Sequence, residues 1–206
     1  MDAMKPSQLF RIILVVMLCL LPAVSSAQST ILVFGDSLSA GYGIPREAAW
    51  ASLLQLELQR THPHYKVINA SVSGETTSGG VQRLPATLKE HRPNIVVIEL
   101  GANDGLRGTP LRITEKNLSI LIQQAQGAGA KVLLVGMQLP PNYGIDYTSQ
   151  FKMIYPKLAQ RHRIALVPFL LQGIAADQFQ ADNLHPVAEA QPKILQTVMQ
   201  KLKPML

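Results

Sequence analysis

"ILVFGDSLSAGYG", residues 31–43, runs from unbroken apolar sequence into Gly-Asp-Ser and then a glycine-spaced stretch. A strand buried on both faces reads as a continuous apolar run, without the polar alternation of a half-exposed one. Residues 30–35, "TILVFG", have that character, and four later segments share it: "YKVINA" (65–70), "NIVVIELG" (94–101), "KVLLVGM" (131–137) and "IALVPF" (164–169). Helical patterns fill the intervals near 46–61, 77–91, 112–127 and 147–162, and a last one covers 186–202. In the first, Trp50, Leu53, Leu54 and Leu58 fall on one stripe. Pro85 and Pro156 are expected to kink or divide their helices, and Pro186 suits the first turn of the last one.

Strands alternating with helices predict an α/β fold: a parallel sheet with helices on both faces, in a single domain over 28–206. The expected strand order is the flavodoxin-like 2-1-3-4-5. The chain has 206 residues, 47% apolar and 16% charged, enough for a sizeable core and unlike a disordered chain.

Residues 1–27 differ in kind. Lys5 and Arg11 precede "IILVVMLCLLPAV" (12–24), and "SSA" follows. A basic start, an apolar run too short for a membrane span and small residues before a junction make a secretory signal peptide, with cleavage expected after Ala27 and a periplasmic or secreted product. Cys19 is the only cysteine and leaves with that segment, which excludes thiol nucleophiles and cysteine-based zinc sites from the remainder. The formal charge is +6, or +5 without the leader, with the basic residues scattered. No basic stripe points to nucleic acid; a weak attraction to a membrane surface is the most that this charge implies, and a monomer is expected.

In a doubly wound sheet, ligands bind beyond the carboxyl ends of the strands. Loops that follow strands are therefore candidates for chemistry, and loops that precede strands are not. His62, His64, His91 and His162 all precede strands. The His62-Pro63-His64 trio has no third ligand and no HExxH, so no metal is expected there. His185, in "ADNLHP", comes after the last strand, with Asp182 three residues before it. That carboxylate can orient the imidazole, or it can simply form a turn. Ser37 follows the first strand. A serine needs an adjacent base to act as a nucleophile, and otherwise it closes a turn. "NASVSGETTSGG" (69–80) places Gly74, and "ELGANDGLRG" (99–108) places Asn103, where an N–H and an amide can meet a developing oxyanion. Taken together, four strand-end loops supply nucleophile, base, orienting acid and oxyanion donors. There is no GxSxG, no P-loop and no GxGxxG.

"FGDSLSAGYG" (34–43), "SVSGETT" (71–77), "LGANDGLRG" (100–108) and "DNLHP" (182–186) resemble, in order and spacing, the four blocks of the GDSL or SGNH hydrolases. "NDGLRG", "LPPNYG" (139–144) and "IYPKLA" (154–159) carry a closer likeness to its secreted bacterial thioesterase, protease, lysophospholipase and arylesterase members. The resemblance implies the SGNH-hydrolase fold, a three-layer α/β/α sandwich. It implies Ser37 as nucleophile, His185 as base, Asp182 as its partner, and an oxyanion hole of Ser37 N–H, Gly74 N–H and the Asn103 amide. Asp36, though part of the signature, is read as structural in the turn.

The expected activity is hydrolysis of small-molecule acyl esters or thioesters through an acyl-serine, with no cofactor or metal. Leu106, Leu139, Pro140, Pro141, Tyr143 and Ile145 are the candidates for an acyl groove. The alternatives are a carbohydrate O-deacetylase of the same fold and a non-catalytic flavodoxin-like binding module. "NAS" (69–71) and "NLS" (117–119) match glycosylation acceptors, but in the bacterial setting that the resemblance implies they are coincidental.

Overall fold

The apolar runs become one five-stranded sheet, every neighbouring pair parallel, in the order β2-β1-β3-β4-β5. The computed structural model describes residues 28–206; the expected leader and its cleavage site lie outside them. The strands are β1 (Ser29–Gly35), β2 (Tyr65–Asn69), β3 (Ile95–Glu99), β4 (Lys131–Val135) and β5 (Ala165–Val167). The helices, in chain order, are α1 (Ser37–Ala40), α2 (Trp50–Thr61), α3 (Thr77–His91), α4 (Ala102–Leu106), α5 (Leu111–Gly127), α6 (Ile145–His162) and α7 (Gln191–Leu202). Helices α2 and α7 pack together on one face of the sheet, and α3, α5 and α6 pack in succession on the other. This is the three-layer sandwich. No helix among the described residues is long and apolar enough to cross a membrane.

β3 is buried at every position, as are Ile31 to Phe34 of β1, because both lie inside the sheet with helices above and below. β2, at an edge, is only partly covered. The helices present apolar stripes to this layer: Trp50, Leu54 and Leu58 from α2, Leu118, Leu121 and Ile122 from α5, and Ile194, Val198 and Leu202 from α7 are fully buried. Within the first of these packs, α2 and α7 are also joined at one end by a side chain. Gln191, at the start of α7, accepts the Trp50 backbone N–H at 3.0 Å and so satisfies a first-turn donor of α2.

Two expected helix divisions and one expected helix start need correction. α3 and α6 run unbroken through Pro85 and Pro156. Pro85 has no N–H for the Val81 carbonyl, and Gln124 Nε2 on α5 donates to that carbonyl instead, at 3.2 Å. Pro156 would free the carbonyl of Lys152, which lies on the exposed side of α6. Pro186 does not begin the last helix. It forms an isolated antiparallel bridge with Phe179, and Pro192 takes the helix-start position in α7.

Replacing Gln191 with Leu leaves the buried Trp50 N–H without an acceptor. We expect a loss of roughly 1–3 kcal/mol in urea unfolding, the cost of one unpaired buried donor.

Candidate active site

β1 and β3 are neighbours in register, with Phe34 opposite Ile98 and Gly35 opposite Glu99. They end at one level, and their following loops leave side by side. This is the point in the 2-1-3-4-5 order where successive connections turn to opposite faces, which opens a crevice.

The β1 loop turns at once into α1. Asp36 caps it, accepting the Leu38 N–H at 3.0 Å, and Ser37 is its first residue. Gly41, in the left-handed conformation at φ 77°, ends the single turn. Ser37 Oγ therefore faces the crevice from a short rigid element, and it lies 2.8 Å from His185 Nε2. The partner loop is 148 residues further along the chain. There Asn183 adopts φ 57°, which folds the segment back so that Asp182 Oδ1 accepts the N–H of Leu184 (2.9 Å) and of His185 (3.0 Å). Asp182 Oδ2 meets His185 Nδ1 at 2.6 Å. These contacts, led by the His185 backbone N–H, hold the Asp182 carboxyl down at about 2. An ionised carboxylate on Nδ1 places the imidazole proton there and leaves Nε2 able to accept from Ser37.

Gly74, at φ 78°, sits in the loop after β2. Its N–H and that of Ser37 have no acceptor among the described residues. Asn103, in α4, is different: its Nδ2 donates to Asp36 Oδ2 (3.1 Å) and to the Glu75 carbonyl (3.0 Å). Two further contacts lock these loops. Buried Asp104 accepts from both the N–H (2.8 Å) and the hydroxyl of Thr77, at the start of α3. Arg107 Nη2 donates to the Gly74 carbonyl at 3.1 Å.

The family model described as the GDSL-like Lipase/Acylhydrolase family matches residues 33–191. The chain belongs to this family. It is 48% identical over 183 residues, 88% of this chain and 91% of the other, to Esterase TesA of Pseudomonas aeruginosa. It is 42% identical over 191 residues, 92% of this chain and 90% of the other, to the Thioesterase 1/protease 1/lysophospholipase L1 of Escherichia coli strain K12. Among solved structures, it resembles the psychrotrophic esterase EstA from Pseudoalteromonas sp., with a TM-score of 0.82 and 39% identity over 86% of this chain and 98% of that one. The chain is an ester/thioester hydrolase.

The residues that name the GDSL family are Gly35, Asp36, Ser37 and Leu38. Ser37, Gly74, Asn103 and His185 all line one pocket of about 400 Å³ at the carboxyl edge of the sheet, and Asp182 stands behind His185, outside that lining. The other four histidines stand at the ends of α2, α3 and α6 or before β2, away from it. Leu106, Leu139 and Pro140 line this pocket; Pro141, Tyr143 and Ile145 do not. Residues 141–143 form a 3₁₀ turn that carries the chain away from the crevice into α6. Tyr143 spends its hydroxyl on the Leu106 carbonyl at 3.2 Å, and the Ile145 side chain is 81% exposed. The apolar walls come instead from Met137, Phe169, Leu171 and Phe179, together with Tyr42 and Leu184 at the rim. Their positions beyond β4 and β5 were the available signal; nothing local in the sequence singles them out.

Gln180 was also not legible. Its Nε2 donates to the carbonyls of Tyr42 (2.9 Å) and Pro186 (3.1 Å), and its backbone N–H donates to the His185 carbonyl (2.8 Å). It thus ties the histidine loop to the segment after α1, where the Tyr42 ring lies 4.7 Å from the imidazole. Gly43 leaves the space its amide occupies. The amides of Asn69 and Asn117, the two acceptor-like asparagines, are engaged by Ser39 O and Thr77 Oγ1.

Gln180→Leu keeps the volume but removes both side-chain bonds. The expected result is a fall in kcat on the order of tenfold, about 1.4 kcal/mol, with the fold intact by circular dichroism. A second expectation concerns pH. Burial lifts Asp36 from 3.8 to about 6, against the pull of Leu38 N–H and His185. Its proton is held more tightly in the folded chain, so its contribution to stability is full below about 3.8 and is lost as pH rises through about 6. Asp182 runs the other way, contributing above 3.8 and losing this as pH falls through about 2. Unfolding free energies measured across pH should therefore show the wild type losing ground to Asp36→Asn between about 4 and 6. A constant difference would contradict the assignment.

Proposed function

We propose that this protein is an exported serine esterase/thioesterase acting on fatty acyl esters, lysophospholipids and related thioesters. The observation that carries the reading is the continuous relay from Ser37 Oγ to His185 Nε2 (2.8 Å) and from His185 Nδ1 to Asp182 (2.6 Å). Ser37 Oγ attacks the acyl carbonyl while His185 Nε2 takes its proton, and the Asp182 carboxylate stabilises the imidazolium. The carbonyl oxygen becomes an oxyanion, met by the unpaired N–H groups of Ser37 and Gly74. Asn103 joins them by turning one amide hydrogen from the Glu75 carbonyl toward the oxyanion. The imidazolium then protonates the leaving alcohol or thiol. In the second half, His185 activates a water that attacks the acyl-serine, and the acid leaves. Catalysis weakens in acid, because a protonated imidazole cannot accept the serine proton.

The walls of Met137, Leu139, Phe169, Leu171 and Phe179 support a hydrocarbon acyl chain. They count against an acetylated sugar, which would need polar partners in place of these side chains. Export is supported by the pattern of residues 1–27, and N-terminal sequencing of the mature protein should begin at Gln28.

EstA from Pseudoalteromonas sp. has been solved inhibited by monoethylphosphonate. A fluorophosphonate probe should label Ser37 here, leave Ser37→Ala unlabelled, and lose most of its rate in His185→Ala. Either variant should lower kcat by roughly 10³-fold or more. Across acetyl, butyryl and longer oxyesters and their CoA thioesters, kcat/KM should rise by up to about fourfold per methylene until the groove is full, following ~0.8 kcal/mol per buried CH₂. A maximum at acetyl would overturn the substrate assignment.

A further inference from the structure

Glu99 is a buried carboxyl that the ester chemistry leaves unused. It closes β3, opposite Gly35, and is 0% exposed. Its Oε2 accepts the Ser39 hydroxyl at 2.7 Å and the Asp36 N–H at 3.3 Å, while Oε1 has no hydrogen-bond donor. Among the described residues no lysine, arginine or histidine pairs with it. The titratable groups that face it are Asp36, from the β1 loop, and Tyr155, from α6, whose hydroxyl is committed to the Leu100 carbonyl at 3.0 Å. Further out, the charge of His185 acts on Asp36 and that of Asp104 on Tyr155.

A bare carboxylate in such a place has neither solvent nor a counter-charge, so the proton stays on. Burial and the neighbouring Asp36 both push Glu99 well above the usual carboxylate range. Asp36 is the better place for the negative charge of the pair. Its oxygens already receive Leu38 N–H (3.0 Å) and Asn103 Nδ2 (3.1 Å), and His185 lies nearby. The Asp36 N–H meets Glu99 Oε2 at 3.3 Å, so the two carboxyl groups are neighbours, and of such a pair only the protonated one can donate. The glycine of the Gly-Asp-Ser signature belongs to the same arrangement. A Cβ on Gly35 would stand 2.7 Å from Glu99 Oε2 and 2.8 Å from Ser39 Oγ, so the residue is glycine because the Glu99 carboxyl occupies that space.

We propose that Glu99 is a neutral positioning residue: it donates its proton to the Asp36 carboxylate, holds Ser39, and through Asp36 fixes both the turn that carries Ser37 and the Asn103 amide. It touches no reacting atom. It acts on Asp36, directly before the nucleophile in the turn, on Ser39, two residues after it, and on one oxyanion donor. The inference rests on the serine mechanism proposed above.

Glu99→Gln reproduces a neutral side chain with one acceptor and one donor, and Glu99→Ala removes both. Glu99→Gln should keep kcat within about threefold of the wild type, and Glu99→Ala should lower kcat by about tenfold or more with KM nearly constant, since a loosened oxyanion donor costs part of the 10²–10³ that losing one entirely does. The infrared difference spectrum of wild type minus Glu99→Gln at neutral pH should contain the carbonyl stretch of a protonated carboxyl. The inference is overturned by carboxylate bands in place of that stretch, by Glu99→Gln as impaired as Glu99→Ala, or by Glu99→Ala with wild-type kcat. Should Glu99→Ala not fold, Glu99→Gln and the spectrum still decide. Ser37→Ala in the same assay separates the two levels: if it stays active the serine mechanism falls and takes this inference with it, whereas an inactive Ser37→Ala beside a fully active Glu99→Ala overturns the role of Glu99 alone.

Discussion

The pairing of β1 with β3 is the contact on which the site depends. In parallel register these strands bring Gly35 and Glu99 together at the last rung. Their loops then start from adjacent points and diverge to opposite faces of the sheet. Ser37 and the Asn103 loop inherit their separation from that ladder, whose hydrogen bonds lie within a fully buried layer. A one-residue slip would move every side chain to the other face and draw the serine turn away from its partners.

Around this ladder, each loop is tied to another by polar groups. Asp104 joins α4 to the start of α3, Asn103 bridges Asp36 and Glu75, and Gln180 joins the histidine loop to the segment after α1. Arg107 holds Gly74 from outside. Such connections are strong where they are satisfied and costly where they are broken, and they give the loops fixed distances. A hydrolase of this kind needs donors already aimed where charge develops, since reorganising them during reaction would raise the barrier.

Much of this was legible in order and edge. The strand runs, the sheet order and the exclusion of four histidines follow from apolar pattern and from the rule that ligands meet the carboxyl ends of strands. Asp36 read correctly as a turn residue, although its bond to Asn103 was not visible. The helix around Pro85 stays undivided for a tertiary reason. A proline breaks a helix when the orphaned carbonyl has no partner, and Gln124 provides one at Pro85 from another helix. Tyr143 and Ile145 read as groove residues because they follow a strand and are apolar; a 3₁₀ turn, set by Pro140 and Pro141, sends them outward.

The sequence by itself determined which elements form, which edge carries chemistry, and which serine and histidine stand on that edge, because period, turn residues and chain order are local properties. Only the tertiary structure decided that Ser37 and His185, 148 residues apart, meet at 2.8 Å. It alone placed Phe169 and Phe179 in the pocket wall, gave Gln180 its two carbonyls and set Glu99 in the space left by Gly35. Those facts depend on the distance between segments and on which polar groups lose their water together. Neither is written in the neighbourhood of any one residue.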